Sequence, residues 1–151
     1  EKYKVCLKDG DKYERVPIRR EINEKGALKG RAPVLACTDD PIGLSFLHLQ
    51  GDGEVTIKGP GGTEQIRRFN YAAKNGGARN MVGSIAKCAD PSFKAGSLSS
   101  IRDFLSKRKD MMKLLNYEDS YVFFKIGEGG HKGVENINLT PRHSLATDRS
   151  I

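Results

Sequence analysis

The most apolar stretch of the chain is Leu44–Leu49, which is followed by a small, polar loop at Gln50–Gly53. The apolar side chains of this stretch fall on both faces of an alternating pattern, which is typical of a strand buried on both sides. The glycines on either side of Asp52 would let the backbone approach a ligand closely. The pattern therefore predicts a buried strand that leads into a loop. A tight hairpin into Glu54–Lys58 is the favoured interpretation of this loop, and a binding rim is the alternative.

Alternating apolar positions and turn residues predict further short strands along the chain. These strands are Tyr3–Leu7, Pro33–Cys37, Val55–Ile57, Glu64–Tyr71, Tyr121–Ile126 and Ser144–Thr147. Asp9-Gly10-Asp11 and Gly59–Gly62 read as turns, and Gly127–Gly133 reads as a loop.

Apolar positions take on helical spacing between residues 79 and 116. Met81, Val82, Ile85 and Cys88 predict a helix over Arg79–Ala89. Ser97 is a good N-cap for a second helix with an apolar stripe of Leu98, Ile101, Phe104 and Leu105, and Ser100 with Asp103 is a pair of capping-box type. Met111–Leu115 predicts a further turn or two, and Arg19–Leu28 predicts one helical turn stopped by Gly26. Together, these predicted strands and helices indicate a mainly β protein with a few short helices, built around a small β-barrel.

The chain has 151 residues and a formal net charge of +7, which favours an anionic partner such as nucleic acid, an anionic membrane surface or an acidic polymer such as cell-wall glycan. The basic residues are scattered, so a solvated surface is the default explanation of each cluster. No aromatic-rich RNA-binding motif supports a nucleic-acid partner. The sequence shows no signal-peptide pattern and no apolar run long enough to span a membrane.

Few residues suggest metal or redox chemistry. Cys6, Cys37 and Cys88 form no C-x-x-C pair, so buried inert thiols are at least as well supported as one disulfide with a thiol left over. His131 and His143 show no metal-ligand spacing, and His48 reads as a satisfied core histidine. We expect no metal and no cofactor.

Five blocks of sequence follow one another along the chain: Phe46–Gly53, ending in Gln-Gly-Asp-Gly; Tyr71–Gly76, reading Tyr-Ala-Ala-Lys-Asn-Gly; Ser97–Leu105; Ser120–Phe124; and Leu139–Ser150. Each block is unspecific alone. Together, and in this order, they resemble the catalytic-domain family of membrane-bound lytic murein transglycosylase A.

The chain departs from that family's usual pattern at several places. Asp52 replaces a serine, Ala73 a glycine and Cys37 a tryptophan. The family usually has Tyr-x-Ser-Ile-Gly at Arg79–Gly83, Asn-Pro at Glu118-Asp119 and Gly-Arg at Arg142-His143. The polar side chains around the Asn75 turn therefore differ from those of the family.

The resemblance implies a double-psi β-barrel with a second barrel inserted into it. Residues 1–126 would be the inserted barrel, with a helical excursion near 79–116, and residues 127–151 would return to the double-psi barrel. The implied reaction is cleavage of the β-1,4 bond between N-acetylmuramic acid and N-acetylglucosamine in peptidoglycan, which leaves a 1,6-anhydro sugar. The implied catalytic aspartate lies beyond Ile151, so no catalytic residue is expected in this chain, and Asp148 is a structural residue of the returning barrel.

The same resemblance gives the expected substrate-binding residues, which are Gln50, Gly51, Asp52, Gly53, Tyr71, Lys74, Asn75 and Gly76. Gln50 would bind sugar hydroxyl or N-acetyl groups. For Asp52 and Asn75 a turn-stabilising role stays open beside sugar binding, and for Tyr71 core packing is the favoured alternative to stacking on a sugar.

The implied partners are peptidoglycan glycan strands and the remainder of the double-psi barrel, with no nucleic acid. The implied location is the periplasm of a Gram-negative bacterium, with attachment to the outer membrane only through a lipid anchor outside this segment. Two alternatives stay open: a basic β-barrel that binds nucleic acid, and a structural module that binds nothing itself.

Overall fold

The computed structural model describes residues 6–9, 12–94 and 96–127, with side chains from Glu14 onward. The strands are β1 (Cys6–Asp9), β2 (Lys12–Arg15), β3 (Gly53–Lys58), β4 (Glu64–Lys74) and β5 (Val122–Gly127). The helices are α1 (Arg19–Lys25), α2 (Pro41–Gln50), α3 (Val82–Ala89), α4 (Leu98–Ser106) and α5 (Met111–Leu115). The predicted turn at Gly10-Asp11, the loop at 128–133, the strand at Ser144–Thr147, and His131, His143 and Asp148 lie outside the described residues.

The described strands form two antiparallel sheets. β1 pairs with β2, and β3, β4 and β5 form a three-stranded sheet with β4 in the centre. A short 3-10 turn at Pro60–Gly62 joins β3 to β4, and a bulge interrupts the pairing of β4 with β5 between Tyr71 and Ala73. The predicted combination of strands with a few short helices is confirmed, and this three-stranded sheet is open rather than closed within the described residues.

The prediction of a buried strand at Leu44–Leu49 is wrong, because this stretch lies in α2. Asp40 caps the helix by accepting a hydrogen bond from the Gly43 amide at 2.9 Å, and Pro41 occupies the first turn, where its missing N–H costs nothing. Gly51 ends the helix in the left-handed conformation, at φ 83°. Apolar residues on both faces of an alternating pattern are as compatible with a helix that packs on two sides as with a buried strand.

Pro33–Cys37 was also predicted as a strand, and this prediction is wrong. The segment has no regular structure, and Val34 is 78% exposed. None of the described strands pairs with this segment, and an apolar run of this length does not form a strand on its own.

The other helix predictions are confirmed with shifted boundaries. α1 ends at Lys25 and is followed by Gly26, which adopts φ 61°, and Ser97 caps α4. The capping box pairs Ser97 with Ser100 rather than Ser100 with Asp103. None of the helices in the described part of the chain has the length and apolar character needed to cross a membrane.

The main apolar core lies among the helices α2–α5. Its buried members are Ile42, Val82, Ile85, Leu105, Leu114 and Leu115, and Phe46, Ala89, Ile101, Phe104 and Met111 pack against it. α2 connects this core to the sheet, because the His48 ring lies edge-on to Phe124 of β5 at 5.3 Å between centroids. The C-terminal end of α2 is thereby held next to the ends of β4 and β5.

Candidate functional site

A cleft of about 330 Å³ opens where the C-terminal end of α2 meets the end of β4 and the segment before β5. Its floor contains the buried side chains of Arg19 and His48. Its rim carries the exposed side chains of Gln50, Tyr71 and Lys74. The cleft therefore combines a fixed polar floor with accessible amide, aromatic and cationic groups.

Arg19 fixes the floor of the cleft. Its guanidinium donates to the Ser120 carbonyl oxygen from Nε at 3.1 Å and from Nη2 at 2.8 Å, and Nη2 lies 3.0 Å from His48 Nδ1. Its Cζ also lies 5.4 Å from the centroid of the Tyr121 ring. Burial lowers the pKa of Arg19, while Glu118 and Tyr121 act in the opposite direction. These contacts join α1, α2 and the start of β5 at one point.

His48 is neutral in this environment. Burial and then the neighbouring Arg19 lower its pKa to about 3. Because a guanidinium only donates, Nδ1 must accept from Arg19, and the Val122 amide approaches the same nitrogen at 3.4 Å. The ring proton therefore sits on Nε2. The expectation of a satisfied core histidine is confirmed, although the residue lies in a helix and lines the cleft.

Glu118 is the one carboxylate among the residues that line this cleft. It is 6% exposed, and burial raises its pKa, while Arg19, the Asn80 amide and Arg79 act in the opposite direction. The acid is thus held among cations, and the lining as a whole stays positive because it also contains Arg19, Lys74 and Arg79.

Asn75 holds the walls of the cleft together from inside the protein. Its amide nitrogen donates to the carbonyl oxygens of Pro17 at 3.0 Å and Asp119 at 2.8 Å. Its amide oxygen accepts from the backbone N–H groups of Gly77 at 3.0 Å and Tyr121 at 2.8 Å. With both amide atoms engaged and the residue 5% exposed, the geometry fits the turn-stabilising role.

The backbone after Asn75 requires glycine for two different reasons. Gly76 has φ 75°, a conformation that residues with a side chain rarely adopt. A Cβ on Gly77 would lie 2.4 Å from the Asp119 carbonyl oxygen, so the close approach of the two segments depends on its absence. This turn brings the chain past the cleft toward α3.

The cleft brings together four of the eight predicted site residues: Gln50, Gly51, Tyr71 and Lys74. The other four, Asp52, Gly53, Asn75 and Gly76, are near it in sequence but do not line it. Asp52 instead accepts a hydrogen bond from Arg68 at 2.6 Å. Gly53 begins β3, where a Cβ would lie 2.7 Å from a Leu47 methyl group.

Tyr71 differs from the favoured expectation of core packing. The residue is 49% exposed and lies on the rim of the cleft, next to the bulge in β4. Its ring is therefore available for a flat, apolar sugar face.

Sequence reasoning missed Arg19, Arg79, Glu118 and Ser120 as residues of this cleft. They come from three separate segments, and none belongs to a motif with a chemical signature. Arg79 and Glu118 lie at positions where the sequence departs from the family pattern, which was the only available signal.

Two larger grooves lie elsewhere on the helical layer. One, of about 690 Å³, runs along α3 and α5, and the other, of about 770 Å³, runs along α2, α3 and α4. Neither is lined by any of the eight predicted site residues. We therefore take the smaller cleft as the candidate site.

The described part of the chain includes no group of three or more His, Cys, Asp and Glu side chains placed to hold a metal ion. Cys37 and Cys88 are free and exposed, so the expectation of buried thiols is wrong for these two.

Comparison with known proteins identifies the family. The family model described as the MltA specific insert domain matches residues 2–125. No curated protein matches the sequence. Among solved structures, the chain is similar to E. coli MltA with bound chitohexaose, at 29% identity and a TM-score of 0.76, covering 98% of this chain and 43% of that one.

Two further solved structures show the same similarity. The membrane-bound lytic murein transglycosylase from Agrobacterium tumefaciens is 26% identical with a TM-score of 0.75, over 91% of this chain and 38% of that one. MltA from Neisseria gonorrhoeae is 29% identical with a TM-score of 0.69, over 89% of this chain and 32% of that one. This chain thus spans less than half the length of each. From the family match and these similarities, the chain belongs to the MltA family, in which residues 2–125 correspond to the specific insert domain.

Proposed function

We propose that this chain forms one wall of the glycan-binding groove of a peptidoglycan lytic transglycosylase. The enzyme would cleave the β-1,4 bond between N-acetylmuramic acid and N-acetylglucosamine and leave a 1,6-anhydro product. The observation that carries the proposal is the cleft at Gln50, found in a chain that belongs to the MltA family. The E. coli relative with bound chitohexaose supports a glycan ligand.

The exposed groups of the cleft suit a sugar chain. The Gln50 side chain offers both a donor and an acceptor for hydroxyl and N-acetyl groups, and it is exposed at the end of α2. The half-exposed Tyr71 ring offers an apolar face, and Gly51 leaves the backbone open beside Gln50. The Arg19–His48 contact fixes the C-terminal end of α2, the helix that carries Gln50.

The proposed reaction needs only one catalytic acid. A carboxylic acid protonates the leaving oxygen as its bond to C1 of N-acetylmuramic acid breaks. The resulting carboxylate then accepts the proton of the C6 hydroxyl, whose oxygen bonds to C1 and closes the anhydro ring. No water attacks, so the second carboxylate of ordinary glycosidases is not required. We place the catalytic aspartate beyond Ile151, so this chain orients the glycan and does not carry out the proton transfers.

The proposed partners are peptidoglycan glycan strands and the remainder of a double-psi β-barrel, with residues 127–151 leading back to that barrel. The proposed location is the periplasm, with a lipid anchor outside this segment attaching the protein to the outer membrane. The name of one relative, a membrane-bound lytic murein transglycosylase, supports attachment to a membrane.

The first test is digestion of purified peptidoglycan by the 151-residue chain, followed by mass analysis for 1,6-anhydro muropeptides and sedimentation with the insoluble sacculus. We expect binding without product. Anhydro products would mean that a carboxylate within the chain carries out the chemistry. Absence of both binding and product would favour a structural module that binds nothing itself.

A second test replaces Gln50 by Ala and measures binding to chitohexaose. We expect binding about threefold to tenfold weaker, from the loss of one or two hydrogen bonds. Gln65→Ala is the matched control, because Gln65 is an exposed residue of β4 that does not line the cleft. Equal affinities for both variants and the unchanged chain would argue against a sugar contact at Gln50.

A further inference from the structure

The cationic side chains on the rim suggest a more specific ligand than a neutral sugar chain. The lining contains three cations, Arg19, Lys74 and Arg79, and one acid, Glu118, while the His48 ring is neutral at physiological pH. Arg19 is committed to the floor through Ser120 and His48. The two cations that remain accessible to a ligand are Lys74 and Arg79.

Lys74 ends β4 with an exposed side chain. Its backbone pairs with Val122 of β5, which fixes where the side chain begins. Within the described residues its ammonium group has no ion-pair or hydrogen-bond partner. Three N–H donors are therefore available at the rim.

Arg79 is anchored at one end of its guanidinium only. Its Nη2 donates to the Leu49 carbonyl oxygen at 3.1 Å, at the C-terminal end of α2. This is its one hydrogen bond among the described residues, so Nε and Nη1 keep their donors. The contact orients the guanidinium beside Gln50 without using its full hydrogen-bonding capacity, and a planar guanidinium suits a carboxylate.

We infer that Lys74 and Arg79 recognise a carboxylate of the glycan ligand, so that the cleft prefers a carboxylate-bearing sugar chain to a neutral one. In peptidoglycan this group is supplied by the lactyl carboxylate of N-acetylmuramic acid where no peptide is attached to it, or by the carboxylates of the peptide where one is attached. The inference rests on the proposed function, since it specifies the ligand of the same cleft. It assigns a specificity role to Arg79.

The test compares binding of three glycans of equal length at low salt. The first is an alternating N-acetylglucosamine and N-acetylmuramic acid oligosaccharide with free lactyl carboxylates, the second is the same oligosaccharide with those groups converted to methyl amides, and the third carries peptides. We expect the first or third to bind about threefold to tenfold more tightly than the second, with the preference falling as salt rises. Preference for the first assigns the lactyl carboxylate, and preference for the third alone assigns the peptide.

Variants of this chain then show which residues cause the preference for the carboxylate-bearing glycan. Lys74→Gln and Arg79→Gln should each reduce this preference by about threefold, because each should weaken binding of the charged glycan more than binding of the methyl-amide glycan. Lys58→Gln and Arg67→Gln are matched controls, because both residues are exposed on the sheet and neither lines the cleft.

The outcomes separate this inference from the proposed function. Equal binding of all three glycans, or equal weakening of charged and neutral glycans by the variants, would overturn carboxylate recognition while leaving glycan binding intact. Absence of binding to every glycan would overturn the proposed function as well. Thermal unfolding of each variant identifies any loss of glycan binding that comes from misfolding.

Discussion

The helical layer and the walls of the cleft are held together by different interactions. The core of α2–α5 consists of apolar side chains, with Leu105 at 0% exposed. The cleft is instead held by buried polar side chains, chiefly Arg19, His48 and Asn75, which form hydrogen bonds with backbone groups of distant segments. Apolar contacts are not directional, whereas hydrogen bonds fix distances and angles. The cleft therefore has a defined geometry, but it depends on a few polar atoms and on pH.

The largest expected effect is in the helical layer. Leu105→Ala should lower the free energy of unfolding by about 3 kcal/mol, because it removes buried methyl groups and leaves a cavity. Urea denaturation measures the change. Leu98→Ala is the control, since Leu98 is on the same helix but 42% exposed, and should cost under about 1 kcal/mol. Equal costs would mean that the apolar core does not dominate this layer.

The next effect is in the cleft. Asn75→Ala should lower the free energy of unfolding by about 2 to 3 kcal/mol, because it leaves carbonyl and N–H groups of the turn without partners. Asn80→Ala is the control, because the exposed Asn80 amide makes one bond, to the Tyr117 carbonyl oxygen at 2.8 Å. A loss no greater than that of the control would show that the Asn75 contacts do not hold the cleft.

The pH dependence of stability sharpens the comparison. His48 has a pKa of about 3 in the folded protein, below its ordinary value of 6.5, so the unfolded chain binds more protons between these values. The contribution of the neutral His48 ring to stability is therefore fully present above about pH 6.5 and is lost as the pH falls toward about 3. Denaturation at about pH 7.5 and about pH 5 should show a His48-dependent loss of about 2 kcal/mol at the lower pH.

His48→Gln provides the control for that measurement. The variant removes the titrating ring, so the loss of stability between about pH 7.5 and about pH 5 should be smaller by about 2 kcal/mol. Glu118 acts in the opposite direction, because its pKa is raised and its contribution to stability is lost as the pH rises. Since Glu118 is present in both proteins, it does not account for a difference between them. An identical pH dependence in both proteins would rule out a neutral, buried His48 as the cause.

The smallest effect concerns a polar contact at the edge of the helical layer. Asp40→Ala should cost about 1 kcal/mol in unfolding free energy, because it removes the cap of α2 and the hydrogen bonds from Arg102 at 3.0 and 3.1 Å. Arg102→Gln, which keeps the cap, should cost about 0.5 kcal/mol, since that ion pair is partly exposed. If the two losses are equal, the cap contributes nothing measurable.

Local sequence patterns predicted most of the elements in the described part of the chain. The strands at Val55–Ile57 and Tyr121–Ile126 and the helix capped by Ser97 follow from alternation, β-branched and aromatic content, and a capping residue. One exception is α2, whose cap at Asp40, proline at Pro41 and glycine at Gly51 are all visible in the sequence. Its apolar run of six residues fits a strand and a helix alike, and the choice of the strand was wrong.

The sequence by itself determined the turns, the strands of the three-stranded sheet, the helical spacing near 79–116 and, through its ordered motifs, the family to which the chain belongs. Only the tertiary structure decided which polar residues share a cleft. Arg19 and Ser120 are 101 positions apart, yet one guanidinium joins them. Periodicity reports on neighbours within one element, whereas contacts between distant segments arise from packing, so no local pattern marked Arg79 and Glu118 as neighbours of Gln50 and Tyr71.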